Sequence, residues 1–225
     1  MYPTPLRPVR GFAVSAVVAL AVHSVVGIGA AVIDLQRAAL IDRLVADPAA
    51  VEDAEIAASD TVYAVSGLVE FGVAILTAVV FLIWLFRVRA NAEILAPDEQ
   101  RRARPWLIFG WIVPIISLWF PKQIVDDIWS ATHRDETHPR PRSGLVTGWW
   151  VAWLLGSWVS NAAARLFFNA EELPEMANAA RFDVASIVML LVAAVPAAMV
   201  VLRISNAQEA RRLTSPPQFM AGPGY

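Results

Sequence analysis

The sequence lacks cysteine, so it can form no disulfide bond, thiol nucleophile or cysteine-ligated metal site. Charged residues are scarce, at 17% of the chain, against about 25% in an average soluble domain. Phosphate loops, zinc and hydrolase motifs and nucleic-acid signatures are absent, and the spacing of His133 and His138 in a Pro-rich loop matches no metal site. We therefore expect a protein that is not an enzyme, has no cofactor or metal site, and binds no nucleic acid.

Apolar residues are abundant, at 57% of the chain. They fall into four blocks, each long enough to cross a hydrocarbon core of about 30 Å, which takes about 20 helical residues. Because lipid cannot hydrogen-bond to free backbone groups, the spans must be helical. The sequence predicts an all-α membrane protein with a helical membrane domain over 12–203. Its four transmembrane helices form two hairpins: 12–33, 62–86, 145–168 and 182–202.

The positions of lysine and arginine set the orientation, because cytoplasmic loops carry the excess of positive charge. With four spans, fourteen of the eighteen basic residues lie on one side and four on the other, whereas a fifth span over 105–121 would leave nine on each side. The four-span topology is therefore favoured, with both termini in the cytoplasm. Residues 204–225 form a second cytoplasmic tail, and the Pro-rich ends 1–11 and 214–225 are predicted to be disordered. Arginine in place of lysine, with much alanine and valine, indicates a bacterial protein of the cytoplasmic (inner) membrane.

The segment 105–121 is rich in tryptophan and proline. Its 17 residues would reach only about 25 Å as a helix, and Pro114 would break that helix by removing a backbone donor. Pro121 is predicted to end it. We interpret the segment as a re-entrant or interfacial helix that enters and leaves on the cytoplasmic side. Residues 122–133 then form an amphipathic helix on the inner surface, with Asp127 toward water.

Two ionisable side chains lie inside the predicted spans. His23 would lie about 15 Å and Glu70 about 12 Å below the outer surface, each on a small-residue face that should point into the bundle. Ionisable groups at such depth are costly and suggest a function. One interpretation is a His23–Glu70 pair that relays protons or cations. The other is a structural hydrogen bond between the first two helices, or a protonated and neutral Glu70.

Other polar and small residues in the spans predict helix packing. Asn161 should hydrogen-bond between helices, and Arg165 should snorkel to the outer surface or pair with Asp183 or Glu70. Small residues at four-residue spacing let a second backbone approach closely. The third span has such a face, which would suit a homo-oligomer: Gly148, Ala152, Gly156 and Ser160.

The second and fourth spans end alike, in RVRANAE (87–93) and RISNAQE (203–209). Both segments follow an apolar span and place an arginine three or four residues before an asparagine. An internal duplication of a helical hairpin would explain this similarity. The general preference for arginine at cytoplasmic helix ends would explain it equally, so both interpretations stay open.

The central region, from Trp84 to Trp129, contains a frame W-x-x-R-x-x-x-N, a Trp/Pro-rich helix and a polar-aromatic tail. The residues of this frame are Trp84, Arg87, Asn91, Trp111, Pro114, Leu118, Pro121, Val125, Asp127 and Trp129. In these motifs the chain resembles an actinobacterial family of multi-pass membrane proteins classed as a domain of unknown function. The resemblance implies a membrane location and a shared shape, and it supplies no activity, ligand or catalytic residue.

These observations lead to one expected function and one alternative. We expect a non-enzymatic polytopic membrane protein that binds lipid or an unidentified protein partner at the cytoplasmic face. The core of this site would be Trp84, Arg87, Asn91, Trp111, Pro114, Pro121, Asp127 and Trp129. The alternative is a small-solute or ion transporter or channel that uses His23 and Glu70.

Overall fold

A computed structural model of the chain describes residues 5–135 and 141–214. These residues form helices and no strand. The helices are α1 (Arg10–Ala46), α2 (Asp53–Leu95), α3 (Trp106–Ile112), α4 (Phe120–His133), α5 (Gly144–Asn169) and α6 (Leu173–Thr214), with short 3-10 helices at Pro48–Ala50 and Ile116–Leu118. The predicted all-α class is confirmed for this part of the chain.

Three of the helices, α1, α2 and α6, are long and apolar enough to cross a bilayer. They contain 37, 43 and 42 residues, which correspond to about 55 to 65 Å at 1.5 Å per residue. They therefore extend beyond a hydrocarbon core of about 30 Å, and the predicted spans 12–33, 62–86 and 182–202 lie inside them. These three helices indicate a membrane protein.

Helix α5 contains the predicted span 145–168 within its 26 residues, but it is not one of the three helices that are long and apolar enough to cross a membrane. The reason is its content of amphipathic indole rings, small residues and polar residues. Its indoles belong to Trp149, Trp150, Trp153 and Trp158. The fourth predicted span is therefore not confirmed.

The chain divides into two compact units. The α4 unit comprises Met1–Val17, Val80–Gly144 and Met199–Tyr225, and the α5 unit comprises Val18–Val79 and Leu145–Ala198. The largest fully buried side chains of the α4 unit come from α2, α3, α4 and α6: Trp84, Leu85, Leu107, Ile124, Ile128 and Ile204.

In the α5 unit, α1 and α2 form an antiparallel hairpin. The hydroxyl of Thr77 donates to the carbonyl oxygen of Ala19 at 3.3 Å, and ion pairs join Arg37 to Asp60 and Arg43 to Glu55, each at 2.7 Å. Toward this end of α1, an apolar cluster also joins it to α6: Ala38, Ile41, Ala177 and Ala180, with Met176 packed against them.

The predicted break at Pro114 is present. Helix α3 ends at Ile112, and Val113 is extended, as expected for a residue before proline. Ile115 then adopts a φ of 67°, a conformation that strains a β-branched residue. Pro121 differs from its prediction, since it lies in the first turn of α4, where a missing N–H costs nothing.

The N-terminal tail differs from its predicted disorder, whereas nearly all of the predicted C-terminal disorder lies outside the described residues. Residues 204–214 continue α6. Before α1, the backbone N–H of Val9 donates to Glu209 at 3.4 Å, and Val9 is fully buried. Residues 1–4 and 215–225 of the predicted tails, and His138 of the predicted loop, lie outside the described residues.

Candidate functional site

The centre of the α4 unit is a buried amide side chain on α2. Asn91 is 0% exposed. Its Nδ2 donates to the carbonyl oxygen of Arg7 at 2.9 Å and to Oε1 of Gln208 at 3.0 Å, while its Oδ1 accepts from the backbone N–H of Arg7 at 2.9 Å. The side-chain amide of Asn91 therefore bonds both the N–H and the carbonyl oxygen of Arg7, as the backbone of a paired strand does.

Gln208 on α6 extends this network to α4. Its Nε2 donates to the carbonyl oxygen of Val88 at 3.0 Å and to the hydroxyl of Thr132 at 3.1 Å. That hydroxyl donates to the carbonyl oxygen of Ile128 at 2.7 Å. Because Gln208 and Thr132 are both buried and hydrogen-bonded, the network specifies one arrangement of α2, α4 and α6.

The indole of Trp84 makes a second buried link between α2 and α6. Its Nε1–H donates to the hydroxyl of Ser205 at 2.9 Å, and both side chains are buried. The segments 87–93 and 203–209, noted for their similar sequences, therefore lie against each other. Sequence reasoning missed Ser205 and Gln208 as site residues, although their positions in RISNAQE were the available signal.

Asp127 fixes the loop before α3 to α4. Its carboxylate accepts from the backbone N–H of Arg101 at 3.0 Å and from Nε of Arg101 at 2.7 Å. Asp127 is only 7% exposed, which corrects the expectation that it faces water. Burial raises the pKa of this carboxyl group, and the hydrogen bonds and charge of Arg101 oppose that rise.

A layer of arginines surrounds this loop. Glu93 pairs with Arg89 at 3.0 Å and with Arg104 at 2.5 Å. Nη2 of Arg89 donates to the carbonyl oxygen of Arg102 at 2.7 Å, and the guanidinium of Arg102 lies 3.8 Å from the ring centre of Phe120. Arg101 pairs with Asp127, and Arg102 donates to Oε1 of Gln123. This arginine layer of Arg89, Arg101, Arg102 and Arg104 therefore has more positive charges than the two carboxylates that it contacts.

Three other motif residues, Arg87, Trp111 and Trp129, make aromatic contacts in the same unit. The guanidinium of Arg87 lies 4.8 Å from the ring centre of Phe12, in the range of a cation–π contact. Trp111 meets Phe81 edge to face at 5.7 Å. Trp129 stacks on His133 at 4.0 Å. All eight predicted site residues therefore belong to the α4 unit.

A family model for a domain of unknown function (DUF4328) matches residues 47–206, which is more than half of the chain. The chain belongs to the DUF4328 family. The matched range begins before α2 and includes Asn91 and Asp127, whereas Gln208 lies just beyond it. No curated protein and no solved structure matches the chain.

The predicted intramembrane polar residues of this DUF4328 protein lie in its α5 unit. Within residues 5–135 and 141–214, no hydrogen bond or ion pair joins His23 to Glu70, and both are half-buried. Asn161 is exposed, and its Nδ2 donates to the carbonyl oxygen of Ser157 in its own helix at 2.8 Å. Arg165 is also exposed, and it forms no ion pair within the described ranges.

The small-residue face of α5 contacts a neighbour within the chain. A Cβ added to Gly156 would lie 2.9 Å from Cδ2 of Leu190 on α6. A Cβ added to Gly148 would meet nothing within 4 Å. The face predicted for a homo-oligomer is therefore already covered at Gly156 and open at Gly148.

Proposed function

We propose that this DUF4328 protein is a non-enzymatic, polytopic protein of the bacterial cytoplasmic membrane, and that its α4 unit binds anionic lipid headgroups at the cytoplasmic face. In this proposal α1, α2, α5 and α6 span the bilayer. The segment from α3 to the start of α4 inserts into the inner leaflet without crossing it.

Apolar exposure on the α3 segment is the observation that carries the proposal. Ile112 and Ile115 are each 68% exposed, and Phe109 and Trp119 are also exposed. Such side chains are costly in water and favourable among lipid chains. Helix α3 has only seven residues, or about 10 Å, and cannot cross a bilayer of about 30 Å. These features support a segment that rests in one leaflet.

Exposed arginines beside this apolar surface support a preference for anionic lipid. The side chains of Arg101 and Arg104 are 52% and 64% exposed. Each positive side chain near an anionic membrane surface contributes about 1 kcal/mol of binding free energy. The excess of positive charge in the arginine layer also agrees with a cytoplasmic location.

Lipid binding can be measured by native mass spectrometry of the full-length protein in detergent, titrated with phosphatidylglycerol or phosphatidylcholine. We expect tighter binding of phosphatidylglycerol. The double variant Arg101→Gln/Arg104→Gln should lose up to about 2 kcal/mol, which is roughly a thirtyfold change in affinity. Because Arg101 also holds Asp127, Arg104→Gln alone measures the charge effect without that contact.

The matched control is Arg43→Gln/Arg181→Gln, since these arginines are also exposed and paired with carboxylates, Glu55 and Asp42. The control should bind both lipids as the wild type does. Equal binding of the two lipids, or an equal loss in the control, would contradict the lipid site. Retained crosslinking of a protein to the α3 segment would then favour a protein partner instead.

The topology has a separate test. Cytoplasmic reporters fused after His138 and at the C-terminus should both be active if 105–121 does not cross the membrane. A reporter after His138 that is active only outside the cytoplasm would exclude the four-span topology.

A further inference from the structure

Carboxyl groups from three helices interact in the α5 unit. They belong to Asp34 on α1, Glu70 on α2 and Asp183 on α6. The carboxylates of Glu70 and Asp183 interact electrostatically with the carboxylate of Asp34. All three carboxylates also interact electrostatically with the half-buried hydroxyl of Tyr63. Like charges that interact in a medium of low dielectric repel strongly, so this arrangement is unfavourable when all three groups are ionised.

The cation that acts on this cluster is Arg37, one turn after Asp34. Its guanidinium is engaged elsewhere, because it pairs with Asp60 at 2.7 Å and lies 4.7 Å from the ring centre of Tyr63. Asp60 is a fourth carboxylate. Arg37 therefore balances one negative charge of the four and leaves the cluster with a negative excess.

Asp34 is the least exposed member, and one of its oxygens has no partner. The residue is 4% exposed, and Oδ2 is buried without a hydrogen-bond donor. Asp183, by contrast, accepts from the hydroxyl of Ser186 at 2.8 Å. A buried carboxylate with an unsatisfied oxygen is costly, and a proton on that carboxylate removes the charge.

We propose that Asp34, a buried carboxyl group with one oxygen that lacks a hydrogen-bond donor, is a proton-binding site of the α5 unit. A proton from water binds the carboxylate to give the neutral acid, and its release reverses the step with no other bond changed. Among the described residues no set of three His, Asp or Glu side chains is placed to hold a metal ion, whereas a proton needs one carboxyl group.

The charged groups that act on Asp34 are Arg37 on α1, Glu70 on α2 and Asp183 on α6, and Asp34 in turn acts on the hydroxyl of Tyr63 on α2. The site shares no residue with the arginine layer, so it does not rest on the lipid-binding proposal. It also differs from a His23–Glu70 relay, because its acceptor is Asp34.

The test uses the full-length protein in lipid nanodiscs and a hydrophobic carbodiimide, which reacts with protonated carboxyl groups in apolar surroundings. Labelled residues are mapped by mass spectrometry at neutral and alkaline pH. We expect label on Asp34 at neutral pH that falls as the pH rises, and its loss in Asp34→Asn. The control Asp42→Asn, exposed two turns further along α1, should keep the label on Asp34.

Thermal unfolding provides a second readout. Asn has the shape of the neutral acid, so Asp34→Asn should leave the unfolding temperature unchanged or raise it. The proposal is overturned if Asp34 remains unlabelled at neutral pH, if its label does not depend on pH, or if Asp34→Asn lowers the unfolding temperature clearly more than Asp42→Asn does.

Discussion

The α4 unit and the α5 unit hold their helices together with different contacts. In the α4 unit, the side chains of Asn91, Gln208 and Trp84 form hydrogen bonds between helices and are fully or almost fully buried. In the α5 unit, Gly156 lies against Leu190, and a Cβ on Gly27 would be 3.4 Å from Ile187. Between lipid-embedded helices the hydrophobic effect adds little, so close contact at small residues takes its place.

The two units also differ in how exposed their apolar side chains are, even along one helix. On α2, Leu68 is 72% and Phe71 is 68% exposed, whereas Trp84 and Leu85 are completely buried. An exposed apolar surface of this kind suits lipid and would be unusual in water. Helix α2 therefore passes from a part that suits a lipid environment to a part with a protein core. If this contrast also holds for stability, substitutions at buried polar contacts should destabilise the α4 unit, and substitutions at small residues should destabilise the α5 unit.

The largest effect is expected at the amide network of the α4 unit. Asn91→Ala removes three hydrogen bonds and leaves buried partners unsatisfied, at about 1 to 3 kcal/mol for each orphaned group. We expect a loss of about 3 kcal/mol in the free energy of unfolding, measured by circular dichroism in detergent. The exposed Asn206 on α6 is the control, and Asn206→Ala should change little. Similar losses in both variants would mean that the network does not hold the α4 unit together.

In the α5 unit, the matching test is overpacking of a glycine. Gly156→Leu would push against Leu190 and cost about 2 kcal/mol, as expected for a side chain forced into a close helix contact. Gly148→Leu has open space at its Cβ position and should be tolerated. If Gly148→Leu destabilises the protein as much as Gly156→Leu does, or disrupts an oligomer seen by native mass spectrometry, then Gly148 also faces a helix.

A double-mutant cycle on the indole contact measures a smaller effect. Trp84→Phe and Ser205→Ala each remove one partner of the same buried hydrogen bond. The coupling free energy from the two single variants and the double variant should be about 1 kcal/mol. Additive losses would show that the hydrogen bond contributes no net stability and that the buried ring alone matters.

The smallest effect concerns pH and His133 in α4. Burial lowers the pKa of this imidazole, the charges of Arg211 and Arg203 lower it further, and the carbonyl oxygen of Trp129 opposes them. The folded state therefore resists protonation more than the unfolded state does. The stability from the neutral ring is complete above the unfolded pKa of about 6.5 and is lost as the pH falls toward the lowered value.

Unfolding temperatures measured from neutral pH down to pH 5 should show this dependence, and His133→Gln should flatten it. Asp127 contributes in the opposite sense, since its pKa is raised and stability falls as the pH rises through it. The comparison with His133→Gln isolates the imidazole. An unchanged slope in that variant would contradict the assignment to His133.

Much of the helical architecture could be predicted from local properties. The apolar blocks predicted four spans, three of which lie in helices that are long and apolar enough to cross a membrane, and Pro114 predicted the break between α3 and α4. These predictions depend on side-chain polarity and on the missing N–H of proline, which act wherever the residue stands in the fold. Family membership could also be predicted, because the motif between Trp84 and Trp129 lies within the matched range 47–206.

Other features depended on which helices meet. Asp127 was predicted to face water because its side chain is charged. Its burial is possible because Arg101, which lies 26 residues earlier, donates two hydrogen bonds to its carboxylate. The segment RISNAQE pointed to Gln208 and Ser205 but not to their partners on α2, which lie more than 115 residues away. The exposed amide of Asn161 shows the converse, because it was predicted to bond between helices and instead donates to the carbonyl oxygen of Ser157 within α5.

By itself, the sequence determined that the described part of this chain is helical, that it contains long apolar helices suited to a bilayer, and that proline divides the segment 105–121. Only the tertiary structure decided that Asn91, Gln208 and Trp84 join α2, α4 and α6, and that Asp34 is buried beside the charges of Glu70 and Asp183. The physical reason is the range of each effect. Hydropathy and backbone restriction act within one segment, whereas satisfying a buried polar group requires a partner that only folding brings near.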